Sequence, residues 1–274
     1  MFQSLKHYNL MPYYSARTFL FFDILILFQR SISYNIPMNV THHPPLKSSP
    51  RALLLDLIRG LAVLLMIIFH FSYDLNNLGF VKIDMPNHPF WYLFPRVIVF
   101  LFLFCTGISL TLAHVKKFML SRYLKRILLL AGCSLLVSLS SYILFPEKWI
   151  YFGTLHCITF LSLIGPVFIK SPRISGCTGI ALFIFDFLGW DGAWIKLAHP
   201  SLDYISPFPW MGAFLIGIAA AHFKSGQLLF SIKNVPRLGK IFLFLGKHSL
   251  LIYLIHQPIM FGLLLGIKQL FFST

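Results

Sequence analysis

Long apolar stretches recur along the chain, each close to the length that a helix needs to cross a lipid bilayer. A hydrocarbon core requires roughly 20 apolar residues per helix. Seven stretches approach that length, at residues 53–73, 90–115, 127–145, 149–169, 176–195, 207–222 and 241–267. The last is too long for one span, and Gly-Lys-His-Ser at 246–249 predicts a break with a helix cap at Ser249. We therefore expect an all-α bundle of about seven transmembrane helices.

Composition excludes the main alternatives to a membrane fold. Of the 274 residues, 57% are hydrophobic and 11% are charged, and the mean hydropathy is +0.77. A soluble domain carries about 25% charged residues, so this chain has too few to cover a surface that faces water. Intrinsic disorder requires low hydrophobicity and is excluded as well. We predict an integral, multi-pass protein embedded in the lipid bilayer, and we expect it in a bacterial inner (plasma) membrane.

The positive charges are distributed unevenly between the loops. The net charge is +15, from 23 Lys and Arg against 8 Asp and Glu. Seventeen of the 23 cations precede the first span or fall in alternate loops, four fall in the other loops, and Arg59 and Arg96 lie inside spans. This asymmetry follows the positive-inside rule and predicts a cytoplasmic N-terminus. Membrane orientation then explains the excess charge, so we expect no nucleic-acid partner.

Residues 1–50 differ from the rest of the chain. The apolar stretch at 15–28 is shorter than a full span and contains Asp23, and a segment rich in His and Pro follows at 41–50. We interpret 1–50 as an N-terminal extension and linker, either disordered or forming a helix on the membrane surface. Translation from Met38 is an alternative. Residues 51–274 are predicted to form the membrane domain.

The first span opens with two charged residues three positions apart. Asp56 and Arg59 share a helix face and can pair. One interpretation is a structural ion pair at the end of the helix. The other is a cationic lining for an anionic ligand that enters from the cytoplasm, with Lys116, Lys117 and Arg126 of the next cytoplasmic loop.

Further along, ionisable groups gather in the predicted outer half. His70 lies eleven residues after Arg59, about 16 Å along a helix. A histidine there is either a hydrogen-bonded core residue or an acid/base group, because imidazole titrates in the useful pH range. His88 precedes the second span, and Arg96 inside it requires either an acceptor or a route to the surface. On the fourth span, His156 lies near the outer surface. Acidic residues are predicted in outer loops at Asp74, Asp84, Asp191 and Asp203.

The last span has a polar stripe formed by Ser249, Tyr253 and His256, followed by Pro258. Such a stripe normally faces a cavity lined by protein. No local spacing of metal ligands is present, so we expect no metal site.

Five segments together resemble the transmembrane acyltransferase superfamily, in particular bacterial relatives of the catalytic domain of heparan-α-glucosaminide N-acetyltransferase. They are residues 56–62 with His70, then 104–110, 150–156, 203–212 and 245–258. The basic residue, ten positions and histidine of the superfamily's first helix match Arg59 and His70. The resemblance extends over about residues 51–268.

The resemblance implies transfer of an acetyl group from cytoplasmic acetyl-CoA, a cosubstrate, to a sugar or glycan amine or hydroxyl on the far side. The branches that acylate sugar hydroxyls favour His70 as the catalytic residue, and the heparan enzyme favours His88. For this chain we expect catalysis from His70 first and His88 second. Arg96, His156, Tyr253 and His256 complete the expected catalytic region, and the donor is expected at Asp56, Arg59, Lys116, Lys117 and Arg126.

Two other classes of function stay open on sequence grounds. Histidines inside a membrane can relay protons, as in a proton-coupled small-molecule transporter, although no internal repeat is evident between the halves. A non-catalytic scaffold of a membrane complex is the second alternative. The sequence leaves the oligomeric state open, and an oligomer is compatible with all three.

Overall fold

The computed structural model describes residues 52–190, 192, 194–223 and 235–272, and within them the chain forms eight α-helices and two short 3₁₀ turns. The helices are α1 Leu53–Asn77, α2 Pro89–His114, α3 Leu120–Leu144, α4 Thr154–Ile164, α5 Pro172–Phe187, α6 Pro207–His222, α7 Arg237–Lys247 and α8 Ser249–Phe272. The predicted extension at 1–50 and the loop residue Asp191 lie outside the described residues. The all-helical fold class is confirmed.

Four of these helices, α1, α2, α3 and α8, are long and apolar enough to cross a membrane. The shorter helices α4 and α6 are apolar as well, and α4 continues into the 3₁₀ turn Gly165–Val167. Integral membrane character is therefore confirmed at the level of the fold. The count of seven spans and the cytoplasmic N-terminus stay predictions.

The predicted helix ends differ from the observed ones where a local backbone signal overrides hydropathy. The first stretch extends to Asn77, where Gly79 adopts φ 81° and Phe80 N donates to Leu75 O at 2.9 Å. In the same way α5 ends at Phe187, well before residue 195, because Gly189 adopts φ 85°. Glycine closes both helices because it reaches the left-handed region without steric cost.

Helix packing depends on glycines that bring two backbones together. A Cβ at Gly107 of α2 would meet the Phe214 carbonyl of α6, and one at Gly217 of α6 would meet the Phe104 carbonyl of α2. Gly60 of α1 approaches the Phe242 carbonyl of α7 in the same manner. Small residues at such crossings are typical of membrane bundles, where close van der Waals contact replaces the hydrophobic effect.

The final helix runs parallel to the first. His256 of α8 lies beside His70 of α1, Gln257 bonds to Asp74, and Lys268 Nζ donates to Leu78 O at 2.8 Å. The predicted break before Ser249 is confirmed, because α7 ends at Lys247 and α8 begins at Ser249. The reversal allows α7 and α8 both to pack on α1, which becomes the helix that carries most of the polar groups.

Candidate active site

The charged pair at the start of α1 forms the predicted contact. Arg59 Nη1 lies 3.1 Å from Asp56 Oδ1, and Arg59 Nη2 donates to Ser109 Oγ of α2 at 2.7 Å. Ser109 in turn donates to the Cys105 carbonyl at 2.6 Å. Arg59 is thereby fixed between α1 and α2, so it has a structural role whether or not it also binds a ligand.

One further cation lies near this pair, and two more lie in the connection that follows α2. The half-buried Arg126, in the second turn of α3, is close enough to Arg59 for the two positive charges to repel each other. Lys116 and Lys117 are exposed in the connection between α2 and α3. We call Arg59, Arg126, Lys116 and Lys117 the cationic end. Positive charges gathered at one end of the helices favour a bound anion, although the Asp56 carboxylate already neutralises part of the charge of Arg59.

Two histidines meet between α1 and α8. The ring centroids of His70 and His256 are 5.0 Å apart in an edge-to-face arrangement, and the Tyr253 ring lies 5.9 Å from His256. His256 is 8% exposed. We call His70, Tyr253 and His256 the imidazole cluster. His70 of this cluster lies on the same helix as Arg59 of the cationic end, about 16 Å further along it.

The hydrogen bonds of His256 define which of its ring nitrogens carries the hydrogen. Its Nδ1 lies 2.8 Å from the Tyr253 carbonyl and 3.2 Å from the Ile252 carbonyl. Carbonyl oxygens only accept, so Nδ1 carries the hydrogen and Nε2 has the free lone pair. Nε2 is buried and has no hydrogen-bond partner among the described residues.

Asp74 corrects one prediction from the sequence. The sequence predicts it in an outer loop, but it lies inside α1 and is 1% exposed. The Gln257 amide donates to both carboxylate oxygens, at 3.0 and 3.1 Å. The spacing in the sequence could have indicated this contact, because Asp74 is four residues after His70 and Gln257 follows His256 directly.

After Asp74, Asp203 is the second residue of this region that the sequence analysis does not include among the site residues. Its carboxylate caps α4, accepting from Thr154 N at 2.8 Å. A Cβ on Gly153 would collide with this carboxylate. Burial raises the pKa of Asp203, and the bond from the Thr154 N–H lowers it in part. The Tyr253 hydroxyl is near Thr154, the Leu155 backbone and the Asp203 charge, which extends the imidazole cluster toward α4.

His156 is engaged at both ring nitrogens. Nδ1 accepts from Gly153 N at 3.3 Å, which leaves the hydrogen on Nε2, 2.9 Å from Ser138 Oγ of α3. Ser138 then donates to the Ile150 carbonyl at 2.7 Å. These contacts give His156 a structural role in joining α3 to the start of α4, and its predicted catalytic role stays a prediction.

The structure places His88 and Arg96 outside the imidazole cluster. His88 is exposed and caps α2, its Nδ1 accepting from Phe90 N at 3.2 Å. Arg96 is exposed, with its guanidinium 3.5 Å from the Tyr92 ring centroid and donating to Tyr92 O at 2.6 Å. The alternative that Arg96 reaches the surface therefore matches the observed geometry.

The fold and these contacts define a class of protein: a helical membrane protein with a cationic end at the start of α1 and an imidazole cluster further along, between α1 and α8. No grouping of three or more metal-ligating side chains occurs in the part of the chain that the structure describes.

Comparison with known families narrows the class. The family described as heparan-alpha-glucosaminide N-acetyltransferase, catalytic, matches residues 51–258, which is more than half of the chain. The chain belongs to this family, a family of membrane acyltransferases of the acetyltransferase type. No curated protein and no solved structure matches the chain. The resemblance expected from the sequence motifs is confirmed.

Proposed function

We propose that the protein transfers an acetyl group from cytoplasmic acetyl-CoA to an amine or hydroxyl of an extracytoplasmic sugar or glycan. The observation that carries this proposal is the arrangement along α1, where the fixed Arg59 lies at one depth and His70, paired with His256 of α8, lies about 16 Å further along. Membership of the family supports acyl transfer as the chemistry. We place the protein in a bacterial inner membrane with its N-terminus in the cytoplasm.

The cationic end would bind the phosphates of the donor. Arg126 lies close enough to Arg59 for their charges to interact, and a phosphate group could accept hydrogen bonds from both guanidinium groups. Lys116 and Lys117 are exposed and free to attract the anion from solution. The extended pantetheine arm of CoA would then carry the thioester along α1 toward the imidazole cluster.

The imidazole cluster would assist the transfer itself. The acceptor nitrogen or oxygen attacks the thioester carbonyl carbon, the new bond forms and the C–S bond breaks, releasing the CoA thiolate. His70 takes the proton that the acceptor loses, and the thiolate finally receives a proton from the site. The Tyr253 hydroxyl can donate a hydrogen bond to the carbonyl oxygen as negative charge develops there.

A proton-coupled transporter is the second candidate, because a histidine pair between two membrane helices is also an arrangement used in proton relays. It predicts no consumption of acetyl-CoA. The scaffold alternative makes the same prediction and also predicts no effect of the histidines.

The test uses purified protein in detergent with acetyl-CoA labelled in the acetyl group, and with glucosamine and glucose as acceptor probes. We expect labelled acetyl-sugar from the wild-type protein and a loss of about 10²-fold or more in His70→Ala, since general acid–base groups contribute that much. His248→Ala, at an exposed histidine between α7 and α8, is the matched control and should retain activity. Equal transfer by His70→Ala and wild type would remove His70 from the mechanism.

A further inference from the structure

Two polar residues beside the imidazole cluster, the buried Asp74 and the half-buried Gln257, have no part in the proposed transfer step. Asp74 lies one turn after His70 on α1 and is 1% exposed, and Gln257 directly follows His256 on α8. A carboxylate at such a position is costly unless it is hydrogen-bonded. A polar pair in this place requires a reason beyond the packing of two helices.

The geometry of the pair fixes the rotation of α8 against α1. A single amide nitrogen of Gln257 donates to both oxygens of Asp74, at 3.0 and 3.1 Å. Because residues 256 and 257 are adjacent on one helix, rotation of α8 would break these bonds and move the His256 ring at the same time. The pair therefore sets the direction of His256.

That direction matters because His256 has one free nitrogen. Nδ1 is bound to carbonyl oxygens of its own helix, so Nε2 is the acceptor, and it is buried without a partner among the described residues. The His70 ring lies next to it, with centroids 5.0 Å apart. Nε2 makes no hydrogen bond to His70 in the part of the chain that the structure describes, and a rotation of α8 would change how Nε2 faces the neighbouring His70 ring.

We propose that Asp74 and Gln257 are positioning residues that hold the His256 ring beside His70, so that the Nε2 lone pair can accept a proton from His70 during acyl transfer. This inference rests on the proposed function. As His70 takes the proton of the acceptor on one ring nitrogen, it passes the proton on its other nitrogen to His256 Nε2. The proton returns through His70 to the CoA thiolate, so the site ends the cycle unchanged.

The test reverses the direction of the hydrogen bond while keeping the size of each side chain. Gln257→Glu alone places two carboxyl groups against each other and removes the donor. Asp74→Asn alone leaves an amide oxygen that can still accept one bond. The double variant Asp74→Asn/Gln257→Glu restores the bond, now from an amide on α1 to a carboxylate on α8. Gln269→Glu, about three turns further along α8, is the matched control.

We expect Gln257→Glu to lower kcat at least tenfold with little change in the KM for acetyl-CoA, because the donor site is distant. Asp74→Asn should lose less, and the double variant should recover to within about threefold of wild type. Gln269→Glu should retain the wild-type kcat. Full activity in Gln257→Glu would overturn the inference. It would also be overturned if the double variant had the wild-type melting temperature but a kcat as low as that of Gln257→Glu.

A spectroscopic readout separates this inference from the proposed function. The ¹⁵N shifts of His256 report its tautomer and hydrogen bonding without any substrate. We expect the shift pattern to change in Gln257→Glu and to return in the double variant. If the wild-type protein transfers no acetyl group, the proposed function fails while the shifts still report the pair. If transfer occurs and the shifts of His256 are the same in the wild type, the two single variants at residues 74 and 257 and the double variant, the positioning role is wrong.

Discussion

At the scale of single residues, the cap of α4 offers a sharp test. Gly153 has no side chain, and a Cβ there would meet the Asp203 carboxylate that caps Thr154 N. We expect Gly153→Ala to destabilise the fold by about 1–2 kcal/mol, the usual worth of a helix cap. Thermal unfolding in detergent measures this effect.

Gly262→Ala is the control for that substitution. Gly262 lies in α8, and nothing lies within 4 Å of the Cβ that alanine would add. We expect its melting temperature to equal or exceed that of wild type, because alanine is the better helix former. Equal stability of Gly153→Ala and Gly262→Ala would mean that Asp203 is not held as described.

The sequence predicts some of the polar residues of the site correctly and misses others. His70, Tyr253 and His256 stand out as ionisable groups inside apolar stretches, and the structure brings them together. Asp74 was misplaced because hydropathy falls before the helix ends, and only the conformation of Gly79 closes α1. Asp203 could not be assigned, because its role comes from a contact with Thr154, 49 positions earlier in the chain.

At the scale of helices, the crossing of α2 and α6 depends on Gly107. A Cβ there would meet the Phe214 carbonyl and would lie 3.0 Å from the Ile218 nitrogen. Backbone atoms cannot move aside as a flexible side chain can, so Gly107→Ala should force the two helices apart. We expect a loss of about 1–3 kcal/mol, the range for overpacked cores.

Gly266→Ala provides the matched control within α8, since the added Cβ has no neighbour within 4 Å. Melting temperatures of the two variants in the same detergent give the comparison. A Gly107→Ala protein as stable as Gly266→Ala would contradict the close packing of α2 on α6.

Hydropathy predicts the position of a helix well where a residue that starts or ends helices falls at the edge of the apolar stretch. The stretch 207–222 is predicted as one span, and α6 covers the same range, with a kink near its start where Phe208 has non-helical backbone angles (φ −99°, ψ 125°). Residues 149–169 were predicted as one span, yet α4 covers only Thr154–Ile164. Residues 149–152 are large and mostly aromatic but form no helix, and they pack against the loop that carries Asp203, as in the contact of Trp149 with His199.

At the scale of the whole molecule, orientation is the first prediction to test. Lys117 lies between α2 and α3 and Lys82 between α1 and α2, so single cysteines there report opposite sides of the membrane. Cys177 is exposed and is first replaced by alanine, whereas Cys105, Cys133 and Cys157 are buried. We expect a membrane-impermeant maleimide added to intact cells to label Lys82→Cys and to spare Lys117→Cys. The opposite pattern would reverse the predicted topology.

The most direct test of the account is acetyl transfer across a membrane. Purified protein is reconstituted in lipid vesicles with glucosamine trapped inside and labelled acetyl-CoA outside, and protein-free vesicles and His70→Ala serve as controls. The protein inserts in both orientations, and only the molecules whose cationic end faces outward have access to acetyl-CoA. The account predicts labelled acetyl-glucosamine inside the vesicles with wild-type protein and none above background with either control. Consumption of acetyl-CoA without internal product, or the same internal product with His70→Ala, would contradict it.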